Sequence, residues 1–293
     1  MLLLQFILIG ISIGSVYALI ALGTVLIYKA TRVINFAQGE LVMIGAFIGY
    51  TSLVSWGLPI FIALPVTLLL SGVIGYLAER FVLRRIAHGP LISVIMVTLG
   101  LSIFLKGGVT GVWGTSMYSF PKIFPESTIN LLGIKLPQVY FWSMVVAVII
   151  FVLFVFFFKY TDLGLAMRGV ADNQKAAASL GVNVFSVVGL SWVFSGIVAA
   201  LGGILLANIS LLNINMSDVG LKAFPVVILG GFDSLLGAVI GGLVIGVIES
   251  VAGGYLATIV SGAIDQVVAF AILLIILLIK PQGLFGTKEV ERL

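Results

Sequence analysis

Long uncharged apolar runs separated by short polar breaks dominate this chain. Leu2–Tyr28 is 27 residues without a charge, enough to cross ~30 Å of hydrocarbon with some tilt. No basic residue precedes Lys29 and no small-residue cleavage pattern follows a short apolar core, so the segment reads as a retained helix. Leu41–Ala78 is 38 uncharged residues interrupted at Ser55-Trp56-Gly57-Leu58-Pro59. Gly and Pro punctuate helices and Trp favours the membrane interface, so two spans joined by a turn are expected. Leu91–Gly111, Pro137–Phe158, Val184–Ala207, Ser234–Gly254 and Gly262–Ile279 supply the rest. Between them lie the polar break Asn208–Lys222 and the element Ala223–Gly231, too short to span. The pattern predicts an all-α polytopic membrane protein: one domain over residues 1–293, about eight transmembrane helices, and broken or re-entrant segments.

Composition removes the alternatives. The chain is 61% hydrophobic and 9% charged, with 15 Lys+Arg and 11 Asp+Glu, and its mean hydropathy is +1.29. So few charges cannot clothe 293 residues in water, and so much apolar surface cannot stay solvated as a disordered chain. There is no cysteine and the single histidine is His88, so no metal centre or catalytic nucleophile–base pair is expected. The net charge of +4 belongs to cytoplasmic loops and not to nucleic-acid binding. With the N-terminus outside, the inner loops hold Lys29, Arg32, Arg80, Arg84, Arg85, Lys159, Arg168 and Lys175, against Lys106, Lys122 and Lys135 outside. Lys280, Lys288 and Arg292 favour a cytoplasmic tail, which eight simple alternations contradict. A part-way crossing by residues 223–231 removes the conflict.

Asn35-Phe36-Ala37-Gln38-Gly39-Glu40 precedes a Gly-spaced helix (Gly45, Gly49), as Ile228-Leu229-Gly230-Gly231-Phe232-Asp233 precedes Gly237, Gly241, Gly242 and Gly246. This predicts an internal inverted repeat with broken segments near the substrate path. Gly10/Gly14, Gly237/Gly241 and Gly242/Gly246 are spaced for close helix packing. Asn35, Gln38, Asn213, Asn215 and Asp218 are the candidate substrate path, since a polar solute in a membrane needs donors, acceptors and freed backbone. Glu40 and Asp233 open helices, where negative charge suits the dipole. Glu249 and Asp265 are intramembrane carboxylates, either a proton relay or structural.

The longest hydrophilic stretch is Lys159–Asn183, longer than a connection needs. Asp172–Gly181 begins with capping residues, runs through strong helix formers and stops at Gly, predicting a short surface helix. Lys175-Ala176-Ala177 with Gly181 is similar to the E-A-A-x-x-x-G loop of bacterial ABC-importer permeases, with Lys in the acidic position. Asn35–Glu40, the run Leu229-Gly230-Gly231-x-x-Ser234-x-x-Gly237 and Lys280-Pro281-Gln282-Gly283-Leu284-Phe285-Gly286 follow the same order and spacing. Over nearly its whole length the chain resembles the LivH-type permeases of branched-chain amino-acid ABC transporters. The resemblance implies a multi-pass inner-membrane subunit working with a LivM-type permease, two cytoplasmic ATPases and a periplasmic binding protein. Arg168, Asp172, Lys175, Ala176, Ala177 and Gly181 would belong to the ATPase-coupling loop. The sequence holds no G-x-x-x-x-G-K-[ST] loop, so ATP and Mg are expected in the partner subunits and no cofactor in this chain. Permeases of this resemblance also serve urea and short amides, and an ion-coupled secondary transporter is the reading from another class.

Overall fold

A computed structural model describes residues 2–86, 89–125, 127–131, 134–256, 264–280 and 283–285. The expectations resting on His88, Pro281, Gln282, Gly286, Lys288, Arg292 and the Asp265 side chain lie outside the described residues.

Among the described residues, six helices are long and apolar enough to cross a membrane. They are α1 (Leu2–Thr31), α3 (Ile60–Leu77, continued through tighter and wider turns to Arg85), α4 (Leu91–Trp113), α5 (Gln138–Tyr160), α8 (Val184–Ile209) and α10 (Leu235–Leu256). Two further predicted spans are the shorter helices α2 (Gln38–Tyr50, extended to Ser55 by a π-helical turn) and α11 (Ile264–Ile279). The short element is α9 (Val219–Gly230). The outer connection 114–137 contains a small antiparallel hairpin, β1 (Thr128–Leu131) with β2 (Ile134–Pro137), and Tyr118 bridges to Leu212 in the polar break.

Burial identifies the middle of the bundle. The most apolar stretch of α1 is 67% buried and that of α8 50%, against 22% for α4 and α5. A helix apolar all round belongs inside, and α1 and α8 pack on each other at the centre. Trp192, Phe47, Leu19, Ile20 and Leu22 fill that centre.

Contact order along the helices gives their directions. Gly10 lies against Val247 and Ser250, and Gly14 against Leu243, so α1 and α10 are antiparallel. Gly23 of α1 sits beside Gln38, the first residue of α2. Eight residues of α1 remain beyond that level, about 12 Å. Residues 32–37 therefore climb back into the membrane, and α2 starts inside it and runs outward. After α8 reaches the outer face, residues 210–218 dip back in the same way. Then α9 starts beside Gly39 and runs inward, its 12 residues covering only about 18 Å.

These facts make the repeat explicit. α1–α2–α3–α4 and α8–α9–α10–α11 run in opposite directions and pack reciprocally. α1 lies on α10 as α8 lies on α3, α2 on α8 as α9 on α1, and α2 on α4 as α9 on α11. The register predicted for the repeat is corrected: Asn35–Glu40 corresponds to the break before α9, not to Ile228–Asp233. Both of these breaks open half-helices inside the membrane, with Gly39 and Gly220 each the second residue of its helix. Ile228–Asp233 closes α9, where Gly231 (φ 96°) turns the chain into α10.

The part-way crossing also settles the tail. Leu284 and Phe285 donate backbone N–H groups to the carbonyls of Leu229 (2.7 Å) and Gly230 (3.2 Å). Those carbonyls end α9 and have no partner inside it. Asp233, three residues on, pairs with Arg32 at the inner end of α1 (2.8 Å). Lys280 thus lies on the face that already holds Lys29 and Arg32, and the positive-inside pattern extends to the C-terminal end of α11.

Candidate functional site

The two half-helices meet at their N-termini. A Cβ on Gly39 would collide with the Ser217 carbonyl and sit 2.9 Å from the Gly220 Cα; one on Gly220 would meet Gly39 at 2.5 Å. Glycine is required here by close backbone approach. Two helix N-termini brought together each carry partial positive charge. Asp218, just before α9, and Glu40, in the first turn of α2, place carboxylates beside them. Glu40 is buried, and Ser102 of α4 lines the same cleft. Asp218 pairs with Lys106 of the same helix at 3.5 Å. These groups line a cleft of about 570 Å³ together with Phe36, Ile103 and Leu221.

A second cleft of about 520 Å³ lies on the other face of Asp218, beneath the outer connections. Asn213, Asn215 and Ser210 line it above, Tyr17 and Lys222 below, with Met117, Leu206, Leu211, Met216 and Val219 as apolar wall. Asn213 caps the turn Ile214–Asp218, accepting from the Asn215 N–H at 2.9 Å. At the floor Lys222 forms an ion pair with Glu249 of α10 and lies 3.4 Å from the Tyr17 hydroxyl. Both charged side chains are largely buried, 15% and 8% exposed. Sequence reasoning noted Glu249 but missed Lys222, which it read as the end of a polar segment. The missed signal was a lone lysine between a break and an apolar half-helix.

The predicted path residues therefore divide. Asn213, Asn215 and Asp218 line this cleft. Asn35 and Gln38 line neither cleft: they are enclosed between α1, α2 and α8. Asn35 Oδ1 accepts from the Ala37 N–H (3.0 Å), and Gln38 Oε1 accepts from Ser195 (2.9 Å) and Asn35 (3.4 Å). Asn35 thus satisfies one freed backbone N–H of the break, and Gln38 ties the break to α8 through Ser195. The glycines all pack inside the subunit. Gly10 and Gly14 cross Gly242 and Gly246 between α1 and α10, while Gly237 and Gly241 lie against Gly230 and Val226 of α9.

On the cytoplasmic side the helix predicted over Asp172–Gly181 is α7 (Gln174–Ser179), and a further helix, α6 (Asp162–Asp172), precedes it. Asp172 ends α6 and does not cap α7. Asn173 provides that cap, accepting from the Ala176 N–H at 3.0 Å, as Thr161 caps α6 from Gly164. Gly181, in the left-handed region at φ 85°, ends the motif. Asp172, Lys175, Ala176 and Gly181 are exposed and Ala177 is buried beneath α7. Arg168 turns back to the Phe158 carbonyl at the end of α5. The loop is fastened to α1: Gln174 donates to the Ala30 carbonyl (2.8 Å) and Arg32 lies within 3.5 Å of the Ala171 carbonyl. Arg32 itself has φ 57°, the one non-glycine residue with positive φ among the described residues. Partial burial works against its charge, and the Asp233 carboxylate outweighs it, holding the guanidinium above its ordinary range.

Half-helices meeting inside an inverted repeat, with a fastened cytoplasmic loop, define a multi-pass membrane permease. Comparison with known proteins gives the family. Residues 6–277 match the family described as branched-chain amino acid transport system / permease component, and the chain belongs to it. It is 31% identical to the LivH high-affinity branched-chain amino acid permease of Salmonella typhimurium, over 97% of this chain and 95% of that protein. With BraD of Pseudomonas aeruginosa the identity is 32% over the same shares. Among solved structures, PsaBC from Streptococcus pneumoniae in complex with Fab matches with a TM-score of 0.51 at 19% identity, over 96% of this chain and 92% of that one. That likeness is one of fold alone.

Proposed function

We propose that this chain is the LivH-type permease subunit of an ATP-driven importer for branched-chain amino acids. Its partners are a LivM-type second permease, two cytoplasmic ATPases that bind ATP with Mg, and a periplasmic binding protein. Asn213, Asn215 and Asp218 contact substrate, while Asn35 and Gln38 hold the break beside it. Asp172, Lys175, Ala176, Ala177 and Gly181 dock the ATPase, and Arg168 keeps α6 against α5. The observation that carries this reading is the fastening of α6–α7 to the inner end of α1 at Ala30 and Arg32, one break away from α2. Movement of the loop is thereby led to the half-helices, and the clefts exchange access while the site stays near mid-membrane. Ala177→Trp and Gly181→Val test it. ATP-dependent leucine uptake is lost while membrane insertion persists; uptake at the parent rate would sink the coupling role.

A further inference from the structure

The Lys222–Glu249 pair has a place in the structure that helix packing alone does not explain. Opposite charges buried together hold helices no better than apolar side chains of similar volume. Intramembrane ionisable groups, moreover, default to functional roles. Lys222 lines the floor of the outer cleft, and Glu249 stands directly behind it. Lys222 is the one cationic side chain among its lining residues, Asp218 lies at its side, and Leu206, Leu211 and Val219 form an aliphatic wall. The Tyr17 hydroxyl completes the floor at 3.4 Å from the ammonium.

We infer that this pair reads a zwitterion. The α-carboxylate of a free amino acid takes the Lys222 ammonium, the α-ammonium takes the Glu249 carboxylate, and the aliphatic side chain lies on the apolar wall. One buried pair opens and two form in its place, while Asp218 keeps Lys106, so no charge is left unpaired in the membrane and no net charge is carried across. A neutral polar solute offers no replacement for the pair it would have to open, and an ion of either sign alone replaces half of it. Lys222 and Glu249 are thus specificity-determining residues within this chain. The inference rests on the amino-acid importer reading and names the feature of the substrate that the membrane site recognises.

The test uses the whole transporter in proteoliposomes, in the cysteine-free chain carrying Met117→Cys at the rim of the cleft. The rate of labelling by a water-soluble maleimide is read beside ATP-dependent leucine uptake. Millimolar leucine is expected to slow labelling several-fold, whereas 4-methylpentanoate, lacking the ammonium, and 3-methylbutylamine, lacking the carboxylate, leave it unchanged. Lys222→Met with Glu249→Gln removes both charges without leaving one unpaired. This variant should assemble with its partners, lose leucine protection, and lose more than about tenfold in uptake. If it transports and is protected like the parent, the pair only fastens α9 to α10 and the inference falls. Equal protection by the acid or the amine, or none by leucine in an actively transporting parent, overturns it as well. Failure of the importer reading looks different: the parent hydrolyses ATP yet accumulates no branched-chain amino acid.

Discussion

Replacing Gly39 by alanine adds one methyl group where α2 and α9 touch, and the structure indicates how much that costs. The new Cβ would run into the Ser217 carbonyl and stand 2.9 Å from the Gly220 Cα. Carbon atoms rest at roughly 3.5–4.0 Å, so clearing the Gly220 Cα alone parts the half-helices by about 0.6–1.1 Å, and clearing the Ser217 carbonyl takes more. Every obstructing atom is backbone, so no side chain can rotate away, and the cost belongs at the upper end of the ~1–3 kcal/mol seen for overpacking. At roughly 2–4 °C per kcal/mol for a chain of this size, a cost of about 2–3 kcal/mol lowers the midpoint of thermal inactivation by about 4–12 °C. Gly253→Ala is the matched control, because a Cβ there meets nothing within 4 Å. That change is neutral or stabilises α10 by up to about 1 kcal/mol, the helix preference of alanine over glycine. Monodispersity in detergent after a heating series gives both midpoints, and leucine uptake gives the functional consequence. Equal midpoints for Gly39→Ala and Gly253→Ala would refute the claim that the half-helices meet backbone to backbone.

Three further outcomes follow from the same geometry. Arg32→Asp should reduce uptake per ATP hydrolysed, and pairing it with Asp233→Arg should restore part of the loss; the half-exposed ion pair is worth no more than about 1 kcal/mol in stability, so melting temperature should barely move. A single cysteine at Leu284 should react with impermeant maleimide only in inside-out vesicles, since the tail hydrogen-bonds the inner end of α9; labelling in right-side-out cells would reverse the topology of the second half. Gly181→Ala should weaken ATPase association without Ala177→Trp's disruption of packing, because a side chain at φ 85° costs roughly 1–2 kcal/mol; unchanged association would separate the turn from docking.

The spans were legible because hydrocarbon imposes long uncharged runs, and the first five came with their orientation because lysine and arginine mark one face. What pattern could not show was the level at which a helix begins. Gln38 looks like the start of an ordinary span, but its position beside Gly23 makes α2 a half-helix, a fact of tertiary packing. Glycine spacing alone sets the repeat in the wrong register for the same reason: Gly39 and Gly220 are equivalent by position in their helices, while the residues around them differ. Asn173 was within the predicted capping pair, and only the extended backbone at that residue shows that it, and not Asp172, starts α7. Lys222 and Glu249 are 27 residues apart, beyond any local pattern. Asn35 and Gln38 were singled out for polarity, which serves a broken backbone as readily as a solute.

The central claim is that this chain conducts branched-chain amino acids only when partner ATPases drive it. Purified chain, second permease, ATPases and binding protein in sealed vesicles, with leucine uptake measured against internal leucine over time, test it most directly. The account predicts accumulation that needs ATP and the ATPase subunits, persists when the proton gradient is collapsed, and disappears in Ala177→Trp. Uptake by this chain alone, driven by a proton gradient without ATP, would contradict it.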